Sequence, residues 1–215
     1  MKILRSELFS KQHSGALLSP VLLGSAAWFA CLKYISPVWI EVNETFPKQT
    51  LRNRYFILGP NGQQMLTVPL DDRKNHAFTK DIRVSQSNDW KRKHKRAIDT
   101  AYSNAPFYEY YKDDFLKMFF DDYELLIDLQ MACTNHFMKT FRILKNIHTT
   151  QAFEKVVIDG KLDLRQHFDQ KNPAGLFIDH NYSYIQVFAE KFGFVSNLSI
   201  IDMLFNCGPD TATML

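Results

Sequence analysis

Residues 16–42 read ALLSPVLLGSAAWFACLKYISPVWIEV, and this stretch decides the fold. Residues 16–32 carry no charge and follow Lys2, Arg5 and Lys11, the order of regions in a signal peptide. Ser19, Pro20, Gly24 and Ser25 interrupt the run, which also falls short of the roughly 20 apolar residues of a membrane span. The pattern instead predicts a buried strand over Ala16–Leu22 and a turn at Leu23–Ser25. An apolar helix over Ala26–Tyr34 follows, halted by Pro37, and a second strand over Val38–Val42. Strand, helix, strand is a βαβ unit, and parallel strands covered on both faces are continuously apolar rather than alternating.

Downstream, Gly59-Pro60-Asn61-Gly62 is a strong turn signal between YFIL at 55–58 and QMLTVPL at 64–70, so residues 50–70 form a hairpin. Residues 71–80, DDRKNHAFTK, read as a polar flap, and Ile82–Ser85 as a short strand. Ser87 or Asn88 caps a helix whose inner face is Trp90, Lys93 or His94, Ala97, Ile98 and Ala101. Phe107–Phe120 is a second, aromatic helix. A third runs from Asp121 or Asp122 to about Asn146, with a core stripe of Leu125, Leu126, Leu129, Cys133, Phe137, Phe141 and Leu144. Phe153–Ile158 reads as a strand and residues 160–175 as loop. Tyr182–Phe192 reads as a helix ended by Gly193, and Ile200–Phe205 as a last helix capped by Asn197 or Ser199. Residues 1–15 are a polar leader. Residues 16–215 form a single α/β domain: a small, mainly parallel sheet with a β-hairpin, covered by a helical C-terminal part.

Across all 215 residues the net charge is only +3, which argues against nucleic acid as partner. Cys31, Cys133 and Cys207 form no CxxC or CxxH pair, so no structural zinc is expected, and the odd count fits a reducing, cytoplasmic setting. No Walker loop, GxGxxG, HExxH or GxSxG motif occurs, and no cofactor is implied.

Several residues carry candidate chemistry. The first hairpin strand is read over Arg52–Leu58, so alternation places Arg52 and Arg54 on one face and Asn53 on the other, and paired guanidiniums make a fork for a carboxylate or phosphate. The other reading is a solvated strand end. His94 lies four residues after Trp90 on one helix face, as a general base or as a satisfied core histidine. Lys91–Arg96 is a solvated face, or a patch for phosphate or a membrane surface. Pro106 sets a turn that lets Tyr102 and Tyr108 face a pocket, or pack under the aromatic helix. Asp202 and Asn206 share a face of the last helix, to orient a hydroxyl or partner an arginine, or to serve structure alone. Cys207 is a weaker nucleophile candidate.

Three segments, Gln49–Leu70, Trp90–Tyr111 and Ile185–Gly208, in this order and spacing, resemble the WbqC-like family. That family occurs among bacterial genes for O-antigen and related surface polysaccharides. The resemblance implies a transferase-type enzyme acting on an activated sugar or acyl donor, or a non-catalytic component of a polysaccharide assembly complex with possible peripheral membrane contact. It strengthens Arg52, Asn53 and Arg54 as binders of a small anionic substrate, a sugar nucleotide or acyl donor, with Tyr102, Tyr108 and Asn206 contributing and His94 or Asp202 as base. Many members carry a His-Gln-Pro-aromatic turn after their first strand; here Ser19-Pro20-Val21-Leu22 stands there, which weakens a nucleotidyl-transfer chemistry.

Overall fold

Two buried strands and the helix between them explain the apolar opening of the chain. β1 (Ala16–Leu18) is wholly buried and pairs in parallel with β2 (Val38–Ile40) on one side and β6 (Leu162–Asp163) on the other. β5 (Ile147–Thr149) extends the sheet beyond β2, giving the order β5-β2-β1-β6, all parallel. The structure, a computed structural model, describes residues 13–48, 50–71, 76–157, 160–168 and 183–215. The crossover between β1 and β2 is α1 (Ala26–Tyr34), whose Ala27–Leu32 are all buried, as expected of a helix that is apolar all round. The βαβ unit is therefore as predicted, although β1 stops at Leu18. From Ser19 the chain turns away, with Leu22 N–H donating to the Leu51 carbonyl at 3.0 Å.

The hairpin is also as predicted. β3 (Arg54–Gly59) and β4 (Gly62–Thr67) pair antiparallel from Arg54↔Thr67 to Gly59↔Gly62 as a separate two-stranded sheet. α2 (Asn88–Tyr102), capped by Ser87 as expected, packs against β3 through Trp90, His94, Ile98, Ala101 and Tyr102, a spacing that keeps one stripe inward. α3 (Tyr108–Phe119) and α4 (Leu126–Thr140) pack together, with the rings of Phe115 and Phe119 stacked 5.4 Å apart along α3 and Phe115 meeting Phe137 of α4 at 6.1 Å. The predicted third helix was too long: α4 ends at Thr140, Arg142 turns the chain at φ 55°, and Leu144, read as core, is 94% exposed.

The last described segment holds the short α5 (Ala189–Phe192), α6 (Ile200–Cys207) and the terminal α7 (Thr211–Met214). α6 packs on α1 and α3. Gly208 closes it at φ 54°, with the Phe107 ring so close that a Cβ would meet it at 2.5 Å.

Other predicted elements are corrected. Ile82–Ser85 is not a strand: Arg83 and Val84 make single bridges to Leu125 and Leu70. The sequence after Asp71 is not a loose flap where it is described. Phe46 N–H bonds Ala77, and Thr79 and Lys80 N–H bond Glu44 and Val42, pinning it to the segment after β2; residues 72–75 lie outside the described residues. Phe153–Val157 is irregular, Ile158 lies outside them, and the neighbouring strands are β5 and β6 instead. The helix read over Tyr182–Phe192 is helical only from Ala189. Tyr184 and Gln186 are drawn to Asp202 rather than coiled, and Tyr182 lies outside the described residues. Residues 1–12 of the leader lie outside as well, and Ser14 N–H bonds the Gly160 carbonyl.

Candidate functional site at the ends of the parallel strands

In open parallel sheets ligands sit beyond the carboxyl ends of the strands, where neighbouring connections diverge. Here the ends of β1, β2 and β5 are followed by a cluster of buried polar groups. Arg52, 6% exposed, forms an ion pair with Glu44, donates through Nη1 to Thr50 Oγ1 at 2.8 Å and through Nη2 to Ser19 Oγ at 2.9 Å. Ser19 Oγ in turn donates to Glu44 at 2.9 Å, and the Arg52 carbonyl accepts from Gln130 at 2.6 Å. Beside this lies Glu41, fully buried. One of its oxygens accepts from Thr150 Oγ1 at 2.7 Å and Asn43 N–H at 2.8 Å, and the other lies 3.7 Å from Arg165 Nη1. Lys80 completes the cluster on Asn43 Oδ1 at 2.9 Å. Buried charges persist when paired and hydrogen-bonded; Glu41, Glu44 and both Nη atoms of Arg52 meet these conditions, while Arg52 Nε has no hydrogen-bond partner among the described residues.

This corrects the fork. The strand starts at Arg54 and Arg52 lies in the preceding turn, so alternation does not relate the two side chains. Arg52 spends its guanidinium on Glu44, Ser19 and Thr50. Asn53 Nδ2 donates to the Val68 carbonyl at 2.9 Å, fastening the turn to the residue that follows β4.

Arg54 is placed differently. It stands between two hollows. One, about 230 Å³, is bounded by Phe46, Pro47, Asn53, Thr67, Pro69 and Leu70. The other, about 30 Å³, lies against the turn that follows β1 and is bounded by Leu22–Ser25, Trp28, Phe168 and Asn197–Ser199. Two helices begin at that second hollow. Ser25 is the N-cap of α1 and Ser199 the N-cap of α6; the two residues form a β-bridge, and Ile200 N–H bonds the Gly24 carbonyl at 2.9 Å. Helix N-termini carry partial positive charge, so two of them and a guanidinium meet at one recess. The sequence offered Arg54 for this role but not Ser25 or Ser199, because nothing local says that residues so far apart become neighbours.

The remaining candidates are not brought to this recess by any described hydrogen bond or ion pair. His94, 3% exposed, sits under the hairpin. Its Nε2 lies 3.1 Å from the Thr67 carbonyl and its Nδ1 3.0 Å from the Tyr55 hydroxyl. A carbonyl only accepts, so Nε2 carries the proton and Nδ1 accepts from Tyr55. Burial lowers His94 to about 4. The imidazole is neutral and its lone pair is occupied, which fits the satisfied core histidine rather than a base. In the unfolded chain the group titrates near 6.5, so folding favours the neutral form, and the stability it adds above pH 6.5 is lost as pH falls toward 4. Urea unfolding should therefore show wild type losing about 3 kcal/mol more than His94→Phe between these values. Parallel pH profiles for the two proteins would discard the assignment.

Tyr102 and Tyr108 are core residues and line neither of the two hollows at Arg54. Their rings lie 5.1 and 5.0 Å from Phe205, and the Tyr108 hydroxyl donates to Asp99. Asp202, 1% exposed, accepts from Tyr184 Oη at 2.7 Å and Gln186 Nε2 at 2.8 Å, and burial raises its carboxyl above the usual range. Asn206 Nδ2 donates to the Asp202 main-chain carbonyl at 2.7 Å, a contact within one turn of α6. Both residues hold the C-terminal segment together, and no cation is bonded to Asp202 among the described residues. Burial, with Asp202 and Asp210 nearby, pushes the Cys207 thiol up to about 11, so it is no ready nucleophile. Among the described residues no three His, Cys, Asp or Glu side chains are grouped to hold a metal, and no helix is long and apolar enough to cross a membrane.

No curated protein and no solved structure matches the chain. A family model does, that of the WbqC-like protein family, over residues 21–163 and 159–214, which takes in α1, the hairpin, the buried charge cluster and α6. The match covers most of the sequence, and the chain belongs to the WbqC-like protein family.

Proposed function

We infer that the chain binds the anionic part of an activated sugar or acyl donor at Arg54 and serves group transfer in the assembly of a bacterial surface polysaccharide. The observation that carries this is the meeting of Arg54 with the N-termini of α1 and α6 at one recess beyond β1. A phosphate or carboxylate there is attracted by three sources of positive potential at once. Asn53 and Thr67, in the hollow on the other side of Arg54, offer polar contacts to an uncharged portion. The buried Arg52–Glu44 pair keeps the turn that carries Arg54 in place, so Arg52 is a positioning residue here and Arg54 the contact. Family membership is what supports the polysaccharide setting of this reading.

A second reading, a non-catalytic ligand-binding component of an assembly complex, draws on one specific observation. Both candidate bases, His94 and Asp202, are already engaged by protein partners.

A thermal-shift screen of sugar nucleotides and acyl donors on wild type and Arg54→Ala tests the site. The expected result is a ligand-dependent rise in wild type that the variant loses while keeping its circular dichroism spectrum. Equal shifts in both proteins would end the Arg54 assignment. Turnover of a donor that shifts wild type separates the enzyme from the binding component.

A further inference from the structure

We propose that the groove between β4 and α2 is a second anion site, built for a linear chain of phosphate groups. The groove holds about 1110 Å³ and is bounded by residues 59–67 on the hairpin side and by Arg92, Lys93, Arg96 and Thr100 on the helix side, with His94 at its floor. The cations of α2 divide into two sets. Lys91 is bonded to Asp122 at 2.7 Å, Arg92 to Asp89 at 2.9 Å and Lys95 to Asp99 at 2.8 Å. Lys93 and Arg96 have no carboxylate partner among the described residues, and both are exposed on the groove wall. They are three positions apart, so they stand about 5–6 Å from each other along one helix face. Among the described residues no carboxylate lines the groove, and Lys191 adds a further cation at its end, bonded to the Pro60 carbonyl at 2.8 Å.

The wall opposite chooses among anionic partners. Gln63, Gln64 and Met65 are exposed there; among the described residues that line the groove the one aromatic ring is the buried His94, and Phe192 meets Gly62 only at the groove's end, so there is no run of rings on which successive nucleobases stack. The surface is concave, and among its described lining residues the exposed apolar side chain of size is Met65, so it offers little for a bilayer to receive. A flexible chain of phosphates asks for neither. It needs spaced cations, of which a guanidinium binds phosphate through two parallel N–H groups, and neutral amide donors beside them. This site is independent of the recess at Arg54.

Binding of linear tripolyphosphate and of orthophosphate is measured by calorimetry on wild type, Lys93→Glu/Arg96→Glu and Arg54→Ala. The expected outcome is that wild type binds tripolyphosphate more tightly than orthophosphate, with affinity falling as sodium chloride rises. The double variant loses at least about tenfold while Arg54→Ala retains full affinity. Lys93 and Arg96 are exposed and unbonded, so the charge reversal leaves the unfolding midpoint in place. Equal binding by the double variant overturns the proposal, as does equal affinity for the two phosphates or a loss confined to Arg54→Ala. Capture of the protein by single-stranded oligonucleotide, or by vesicles of phosphatidylglycerol, in the absence of any tripolyphosphate binding overturns it in favour of those partners.

Discussion

Replacing Arg52 by alanine is expected to lower stability by about 3–5 kcal/mol in urea unfolding, the cost of leaving one member of a buried ion pair alone. Arg52 and Glu44 have side chains only 7% and 16% exposed, and the guanidinium also satisfies Ser19 and Thr50. Truncation strands a carboxylate and two hydroxyls in a place that water reaches poorly, which is where the penalty arises. A double-mutant cycle with Glu44→Gln should show the two losses to be strongly non-additive, because removing the carboxylate first leaves less for Arg52 to stabilise. Arg54→Ala, by contrast, should change ligand binding and little else. A loss below about 1 kcal/mol for Arg52→Ala would mean that the pair behaves as a solvated one, and the supporting role given to it would have to be withdrawn.

Trp90→Ala is expected to cost a similar 3–5 kcal/mol. The indole is 6% exposed, meets His94 at 5.2 Å and Phe119 at 6.1 Å edge-on, and donates from Nε1 to the Ser85 carbonyl at 3.2 Å. Its removal opens a void between α2 and α3 and exposes the imidazole beneath. Two readouts should therefore move together: the denaturation midpoint falls, and the His94 pKa, followed by NMR titration, climbs back from about 4 toward its ordinary value. A fall in stability of less than about 1 kcal/mol, or an unchanged His94 titration, would show that the indole does not close this nest.

The sequence carried the elements that contain their own instructions. Residues 16–42 could be read because a buried parallel strand is apolar throughout and Pro37 stops the helix between the two strands. The hairpin was legible from Gly59–Gly62, and α2 from its Ser87 cap and the spacing of Trp90, His94 and Ile98. β5 and β6 were not legible: strands of three and two residues are shorter than any period that could announce them, and the parallel partners that create them lie far away.

The candidate site divided along the same line. Arg54 was put forward from its place at the strand mouth, and it is the first residue of β3. Arg52 was misread because alternation was applied two residues before the strand begins, and nothing in the polar stretch Asn43-Glu44-Thr45 marks Glu44 as its partner. Tyr102 and Tyr108 looked like pocket residues because Phe205, which covers both, comes from the other end of the chain. Asp202 was rightly placed on one face with Asn206, but its true partners, Tyr184 and Gln186, lie in a segment whose pattern imitated a helix.

The bridge between Ser25 and Ser199 bears on how the molecule is made. A ribosome delivers the first half of the recess early and must synthesise nearly all the rest of the chain before the second half arrives to close it. Contacts between such distant positions form late and slow the search for the native state. Until then the side of α1 that α6 covers, with Ala27 and Trp28, lacks its partner in the nascent protein, which makes it an aggregation-prone surface during synthesis.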